Sequence, residues 1–243
     1  MPAEDQRPNG MRATLGIITG SGPEAGIDLW AKMLRANKAA LGPRFNGDLD
    51  APRVVVVSEP ELGLSMDLHA NDAAVWAAMQ RALAVLAPQV EAYAIACNTL
   101  NWYAPQIEAL ELPARLLSFQ SVLTDFILAQ GITSLALLGA GPVTEMGEWS
   151  AYRFLRDLVE VELPADPAAL HDLIHDVKRL GGEEASLPAR LQALVERLKS
   201  DVVLLACTEL PLIARFHSAK RLVDVTDLVA EAMVAVSLEG ARA

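Results

Sequence analysis

The sequence AYAIACNT at residues 92–99 runs from a short apolar stretch into Cys97, and VVLLACTE at residues 202–209 runs in the same way into Cys207. A short apolar run bounded by polar residues is typical of a strand that is buried on both faces. This pattern occurs once in each half of the chain. We therefore expect two similar units, each with a cysteine at the end of a buried strand.

Further segments repeat in the same order around the two cysteines. Thr14–Thr19 runs into the turn GSGP, and Ser134–Leu138 runs into GAGP. Stretches with helical spacing lie between the apolar runs, and strands that alternate with helices indicate parallel βαβ units. We predict an α/β fold of two pseudo-symmetric parallel-sheet domains, with the active site in the cleft between them. The predicted strands are Thr14–Thr19, Arg53–Ser58, Ala92–Ala96, Arg115–Ser118, Ser134–Leu138, Val202–Ala206 and Arg221–Asp224.

The composition of the 243 residues excludes several classes of protein. Apolar residues make up 52% and charged residues 21%, which fits a globular protein with a sizeable core. The net charge is −11 and no stripe of Lys and Arg offsets it, so we expect no nucleic-acid partner. The apolar runs are far shorter than the ~20 residues that a membrane helix needs, so we expect no membrane span. A polar N-terminus without a signal-peptide core and only two cysteines favour a cytoplasmic location.

The placement of the two cysteines predicts their chemistry. Ligands of parallel sheets bind beyond the carboxyl ends of the strands, so Cys97 and Cys207 should face one cleft from opposite sides. Two opposed thiols suit a two-base proton transfer at carbon, in which one removes a proton and the other supplies one to the opposite face. Nearby backbone N–H groups should lower the pKa of such a thiol. Two other interpretations stay open: inert buried residues, or a disulfide.

Four segments resemble those of a known family. GIITGSGP at 16–23, ACNT at 96–99, ACTEL at 206–210 and VDVTD at 223–227 are similar, in this order, to motifs of the aspartate/glutamate racemase superfamily, in particular its aspartate racemase-like branch. The resemblance implies an amino-acid racemase that works without a cofactor or a metal. It also implies that Cys97 and Cys207 are the two catalytic acid/base residues.

The same resemblance implies a set of substrate-binding residues. Asn98, Thr99 and Thr208 would hydrogen-bond the α-carboxylate and α-amino groups. Ser21 and Gly22 would offer backbone donors in the turn before the first helix, where anions bind readily. The implied set also contains Ser65, Thr144, Lys178 and Glu209.

One position of the predicted site departs from the pattern of the family. Ser65 stands where relatives that use aspartate carry an arginine suited to a side-chain carboxylate. Glu59 and Glu61 in the same loop would further disfavour an acidic substrate side chain. Two alternatives to an amino-acid racemase therefore stay open. One is a related cofactor-free isomerase or decarboxylase that acts on another carboxylate, and the other is an amino-acid-binding protein that has lost turnover.

The resemblance also predicts how the chain divides and assembles. Residues 1–118 would form the N-terminal domain, and residues 119–224 would form the second domain. Residues 225–243 would return to the N-terminal domain as a swapped helix. We expect a homodimer, which is usual among the relatives, and a ligand that is a small-molecule amino acid or a related carboxylate.

Overall fold

The computed structural model describes residues 12–239, and within this range the chain forms two four-stranded parallel sheets. The strands of the first sheet are β1 (Leu15–Thr19), β2 (Val54–Ser58), β3 (Ala92–Ile95) and β4 (Arg115–Leu116). Those of the second are β5 (Ser134–Gly139), β6 (Glu160–Glu162), β7 (Val202–Ala206) and β8 (Arg221–Asp224). The strand orders are β2-β1-β3-β4 and β6-β5-β7-β8, so the two halves share one topology.

Helices connect the strands and cover both sheets. They are α1 (Pro23–Leu41), α2 (Leu68–Leu86), α3 (Ala104–Glu108), α4 (Phe119–Gln130), α5 (Gly141–Thr144), α6 (Pro167–Leu180), α7 (Leu187–Glu196), α8 (Leu210–Ile213) and α9 (Val225–Glu239). No helix among residues 12–239 is both long and apolar enough to cross a membrane.

The predicted fold class is confirmed by this architecture. Each strand predicted from the sequence is present, with bounds that differ by two residues at most. The structure also contains a strand that was not predicted, β6, because the sequence pattern does not reveal it. Its residues, EVE, form a three-residue strand at the edge of the second sheet, where charged side chains can remain in water and no apolar run is needed.

The two halves pack directly against each other through a shared apolar core. Strands β1 and β3 and strands β5 and β7 contribute to one buried cluster, together with α1, α4 and α9. On the first sheet, α2 and α3 cover the opposite face, and on the second sheet α6, α7 and α8 do so. The carboxyl ends of β3 and β7, which the cysteines follow, therefore approach each other across this core.

The last helix packs against the first half of the chain. Helix α9 contacts α1 and α4, and the N–H of Ala13 donates to the carbonyl of Ser237 at 3.4 Å. The Ser237 hydroxyl donates in return to the carbonyl of Ala13 at 3.1 Å. The domain limits at residues 118 and 224 remain a prediction. Residues 1–11 and 240–243, which fall in the predicted N-terminal domain, lie outside the described residues.

Two glycines shape the turn between β1 and α1. Gly20 and Gly22 have φ angles of 123° and 112°, which L side chains rarely adopt. A Cβ atom on Gly20 would lie 2.0 Å from the carbonyl oxygen of Glu59, and one on Gly22 would lie 2.2 Å from Oε1 of Glu209. The turn therefore needs glycine at both positions, and it brings the start of α1 against the second half of the chain.

Candidate active site

Both cysteines line one small cavity between the two halves. Cys97 follows β3 and Cys207 follows β7, and both thiols are free and buried. The cavity has a volume of about 10 Å³, which is room for about one water molecule. Of the residues predicted to form the site, nine line this cavity: Ser21, Ser65, Cys97, Asn98, Thr99, Lys178, Cys207, Thr208 and Glu209.

Gly22 and Thr144, which were also predicted for the site, lie outside the lining of the cavity. Gly22 lines a neighbouring pocket of about 410 Å³, which shares Lys178 and Glu209 with the cavity. The Thr144 hydroxyl donates to the carbonyl of Ala140 at 3.3 Å, as part of the short helix α5. The side chains of Lys178 and Glu209 thus stand between the small cavity and the larger pocket.

The thiol of Cys207 is hydrogen-bonded to a carboxylate. Its Sγ donates to Oε2 of Glu209 at 3.0 Å, and the Thr208 hydroxyl donates to the same oxygen at 3.2 Å. Lys178 forms an ion pair with Oε1 of Glu209 and donates to the carbonyl of Ser21 at 2.9 Å. Burial and then the negative charge of Glu209 raise the pKa of Cys207 well above its usual value. The expectation of a lowered thiol pKa is therefore wrong for Cys207, because burial and the carboxylate outweigh the backbone donors.

The thiol of Cys97 has neutral partners instead. Its Sγ donates to the hydroxyl of Ser21 at 3.5 Å, and Ser21 and Ser65 are hydrogen-bonded through their hydroxyls at 2.8 Å. Ser21 belongs to the glycine-rich turn, and Ser65 belongs to the 3-10 segment Pro60–Asp67. The two thiols therefore differ in their surroundings, with a carboxylate beside one and hydroxyls beside the other.

Asn101 fixes the turn that carries Cys97, and the sequence patterns do not indicate this role. Its side-chain amide donates to the carbonyl of Cys97 at 2.9 Å, and its Oδ1 accepts the N–H of Phe119 at 2.9 Å. The amide thus ties the turn after β3 to the start of α4. Asn101 lies four residues after Cys97, and this spacing is the signal from which the contact with the Cys97 carbonyl could have been predicted.

Tyr152 also reaches the site, and no motif predicts it. Its ring is buried in the core that the two sheets share, and its hydroxyl donates to Oδ1 of Asn98. Burial, and then the charges of Cys207 and Cys97, raise the pKa of Tyr152 well above its usual value. Nδ2 of Asn98 is buried and has no hydrogen-bond partner among the described residues. The site therefore contains an amide donor that is free to bind a ligand.

The acidic residues of the loop after β2 face away from the cavity. Glu59 and Glu61 form ion pairs with Arg81 of α2 at 3.4 and 2.6 Å, and neither lines the cavity. Their influence on an acidic substrate side chain therefore stays a prediction, without a direct contact to the cavity behind it. Lys178 and Glu209 are the charged side chains that line the cavity within residues 12–239, and they neutralise each other.

The fold of two similar α/β halves, together with a family match over most of the chain, identifies the class of enzyme as a racemase, one of the isomerases. Residues 18–236 match the family described as Asp/Glu/Hydantoin racemase, and the chain belongs to that family. No relative was found among curated proteins.

Solved structures of racemases share the fold. The aspartate racemase of Picrophilus torridus is 21% identical with a TM-score of 0.74, and the alignment covers 94% of each chain. An aspartate racemase homologue from Pyrococcus horikoshii is 19% identical with a TM-score of 0.69, over 93% of this chain and 99% of that one. The glutamate racemase of Campylobacter jejuni is 14% identical with a TM-score of 0.57, over 90% and 84%.

Proposed function

We propose that the protein is a cofactor-independent amino-acid racemase in which Cys97 and Cys207 are the two acid/base residues. The observation that carries the proposal is that one thiol from each half lines the same small cavity. Removal of a Cα proton and its return on the other face need two groups on opposite sides of the carbon. The two halves supply such a pair because each thiol stands at the carboxyl end of a central strand.

The proton transfer follows from the surroundings of the two thiols. Cys207, with its raised pKa, holds a proton. Cys97, once its own proton has passed to solvent, takes the Cα proton of the substrate. The electron pair of the broken C–H bond moves into the carboxylate, and the S–H bond of Cys207 then breaks to protonate the opposite face. Cys97 is left as thiol and Cys207 as thiolate. Reaction of the opposite enantiomer reverses these transfers; for another turnover in the same direction, Cys97 gives its proton to solvent and Cys207 takes one up from solvent after the product leaves. The α-ammonium group of the substrate favours the thiolate of Cys207 by its positive charge.

Polar side chains beside the thiols would hold the substrate. Asn98, Thr99 and Thr208 line the cavity and can hydrogen-bond the α-carboxylate and the α-amino group. Donors to the carboxylate stabilise the transition state most when negative charge builds up on it. We include Ser21, Ser65, Lys178 and Glu209 in the site on the same ground, and we leave Gly22 and Thr144 out.

The charges of the cavity favour a substrate with an uncharged side chain. The charge of Lys178 is neutralised by Glu209, and the other lining side chains are uncharged apart from the thiols. A second carboxylate would therefore be buried without a cation to pair with it, which is costly. The family description itself includes hydantoin, an uncharged ring. Asparagine should thus exchange its Cα proton faster than the isosteric aspartate.

The substrate must enter by a movement of the protein, because a cavity of about 10 Å³ cannot hold an amino acid. The 410 Å³ pocket beside it reaches the site at Lys178 and Glu209. We propose that the two halves separate at this pair, admit the substrate and close again. Closure then excludes water from the reacting carbon.

The experiment that tests the proposal is proton NMR in D₂O with L- and D-amino acids and no added cofactor. We expect loss of the Cα–H signal and formation of the opposite enantiomer. Cys97→Ser and Cys207→Ser should each abolish inversion, and each should leave exchange from at most one enantiomer. Circular dichroism establishes that the variants are folded.

The other outcomes would contradict the proposal. If no amino acid exchanges its Cα proton, the proposal is wrong. Turnover of hydantoins, maleate or malonates would favour the alternative isomerase or decarboxylase, and tight amino-acid binding without exchange would favour a binding protein.

We also propose a homodimer in the cytoplasm. Ile27, Trp30 and Leu34 lie three or four residues apart on α1 and are 67%, 43% and 43% exposed. This apolar stripe would leave water if a second copy packed against it. A reducing compartment would keep both thiols available, since a disulfide would consume them.

A further inference from the structure

We infer that Tyr152 is a positioning residue, whose hydroxyl fixes the side-chain amide of Asn98 so that its Nδ2 donors are presented to the substrate's carboxylate. The inference rests on the proposed function. It comes from two observations at the same amide: Oδ1 accepts the hydroxyl proton of Tyr152, and Nδ2 is buried with no partner among residues 12–239.

The first observation determines which way the amide faces. An Asn side chain carries one acceptor and one donor group on the same planar amide, and rotation by half a turn exchanges them. A hydroxyl that donates to Oδ1 of Asn98 selects one of these two orientations. The donor group then faces away from Tyr152. Because Asn98 lines the cavity that holds both thiols, the selected orientation leaves Nδ2 for a ligand.

The second observation shows what kind of ligand group the site lacks. A buried amide donor without a partner is rare in native proteins, because the lost hydrogen bonds to water are not replaced. An acceptor is therefore missing at this position. An amino acid carries such an acceptor in its carboxylate, and its Cα must lie between Cys97 and Cys207. The carboxylate, bonded to that Cα, then comes within reach of Asn98.

Tyr152 is suited to this role because it stays a donor throughout the reaction. Burial and the charges of the thiols hold the pKa of Tyr152 well above the ordinary value of a tyrosine, so its proton remains on the phenol near neutral pH. The hydroxyl therefore remains a hydrogen-bond donor to Asn98. A phenolate, by contrast, could only accept a hydrogen bond and would turn the amide around.

The hydrogen bond also joins the two halves of the molecule. Asn98 follows β3 of the first sheet, whereas Tyr152 lies between α5 and β6 of the second half, 54 residues further along the chain. The amide is therefore fixed only while the halves are docked. Closure would set the donor for the carboxylate at the moment when water leaves the site.

The test compares Tyr152→Phe with Tyr103→Phe as a matched control. Both tyrosines are buried and donate to a side-chain oxygen, but Tyr103 donates to Asp72 at 2.7 Å, away from the cavity. Replacement by Phe keeps the ring and removes only the hydroxyl. We expect Tyr152→Phe to lower kcat/KM about tenfold for the amino acid with the fastest exchange, as the loss of one positioned hydrogen bond predicts. Tyr103→Phe should leave kcat/KM within twofold of the wild type.

A double-mutant cycle separates positioning from a merely structural effect. Asn98→Ala should lower kcat/KM at least as much as Tyr152→Phe, and adding Tyr152→Phe to Asn98→Ala should change it by less than twofold. Full additivity of the two losses would overturn the inference. So would unchanged kcat/KM in folded Tyr152→Phe.

A second measurement does not depend on turnover. The side-chain amide resonances of Asn98 in ¹⁵N-labelled, ligand-free protein should shift or broaden in Tyr152→Phe and stay in place in Tyr103→Phe. Unchanged resonances in Tyr152→Phe would overturn the inference even if the enzyme is active. If no amino acid exchanges its Cα proton in the wild type, the proposed function fails, and the positioning of a substrate carboxylate falls with it, whereas the amide resonances still report whether the contact exists.

Discussion

The two cysteines differ in the residues that accept a hydrogen bond from their thiols. Cys207 donates to Glu209, whose other oxygen is paired with Lys178, so a chain of charged groups leads from this thiol to the neighbouring pocket. Cys97 donates to a pair of serine hydroxyls. The negative charge of Glu209 keeps the thiol of Cys207 protonated, and the same carboxylate accepts the hydrogen bond of that thiol. In the proposed mechanism, the two faces of the substrate carbon would thus meet thiols with different hydrogen-bond partners.

Removal of Lys178 should destabilise the fold. Lys178→Met leaves Glu209 buried without its cation, and we expect the free energy of unfolding to fall by about 3 kcal/mol, the lower end for a broken buried pair, because Lys178 is 20% exposed. Urea unfolding measures the change. The control is Arg190→Met, which breaks the exposed pair with Asp176 and should cost less than about 1 kcal/mol. Equal losses in the two variants would contradict the prediction.

The raised pKa of Cys207 makes stability depend on alkaline pH. The folded thiol keeps its proton at a pH where the unfolded thiol, with a pKa of about 8.5, has lost it. The contribution of Cys207 is therefore complete below pH of about 8.5 and declines above it, by at most about 1.4 kcal/mol per pH unit. We expect unfolding free energies measured between pH 8 and 9.5 to fall with pH, and to fall less steeply in Cys207→Ser. An equal slope in both proteins would disprove this.

Helix α9 is the element that joins the end of the chain to its beginning. Its buried residues, among them Val229 and Met233, pack in the same cluster as Leu29 and Met33 of α1. Every third or fourth residue of α9 is apolar and buried, as a helix that packs along one face requires. The contact stabilises α1, whose first residues follow the glycine turn of the site.

Substitution within α9 should therefore cost stability in proportion to burial. Met233 is fully buried, and Met233→Ala should lower the free energy of unfolding by about 2–4 kcal/mol through lost contacts and a cavity. Glu231→Ala, on the exposed face of the same helix, should change it by less than about 0.5 kcal/mol. Thermal or urea unfolding distinguishes the two. A cost of less than 1 kcal/mol for Met233→Ala would mean that α9 contributes little to the core.

The whole molecule combines a site between its two halves with an exposed apolar stripe. Residues of both halves line the cavity that the thiols share, so the proposed reaction would depend on how the halves dock, and the stripe on α1 is exposed on the first half. Trp102 of the first half and Trp149 of the second are stacked at 4.6 Å, a further contact across the junction. The proposed dimer and the proposed closure thus involve different surfaces.

The proposed dimer can be tested by light scattering after size exclusion. Wild type should have twice the mass of the 26.0 kDa chain. Trp30→Glu places a charge in the stripe and should give the monomer, because a buried unpaired charge is costly. Leu128→Glu, which alters a leucine that is 66% exposed on α4, should leave the dimer intact. A monomeric wild type would remove the proposal, and dissociation by Leu128→Glu alone would place the interface elsewhere.

The sequence by itself determined the fold class, the repeat of the two halves and the pair of cysteines, because these depend on local patterns. An apolar strand followed by a glycine turn or by Cys97 is visible within a few residues. The charged edge strand β6 escaped detection because it carries no such pattern.

Only the tertiary structure decided which groups meet the thiols. Lys178 reaches the carbonyl of Ser21 across 157 residues of chain, and Tyr152 reaches Asn98 across 54. The raised pKa of Cys207 likewise depends on burial and on the charge of Glu209, because both make the thiolate less stable than it is in water. Glu209 is close to Cys207 along the chain, whereas the burial of the thiol and the contacts of Lys178 and Tyr152 arise from packing between distant segments, which no spacing along the chain encodes.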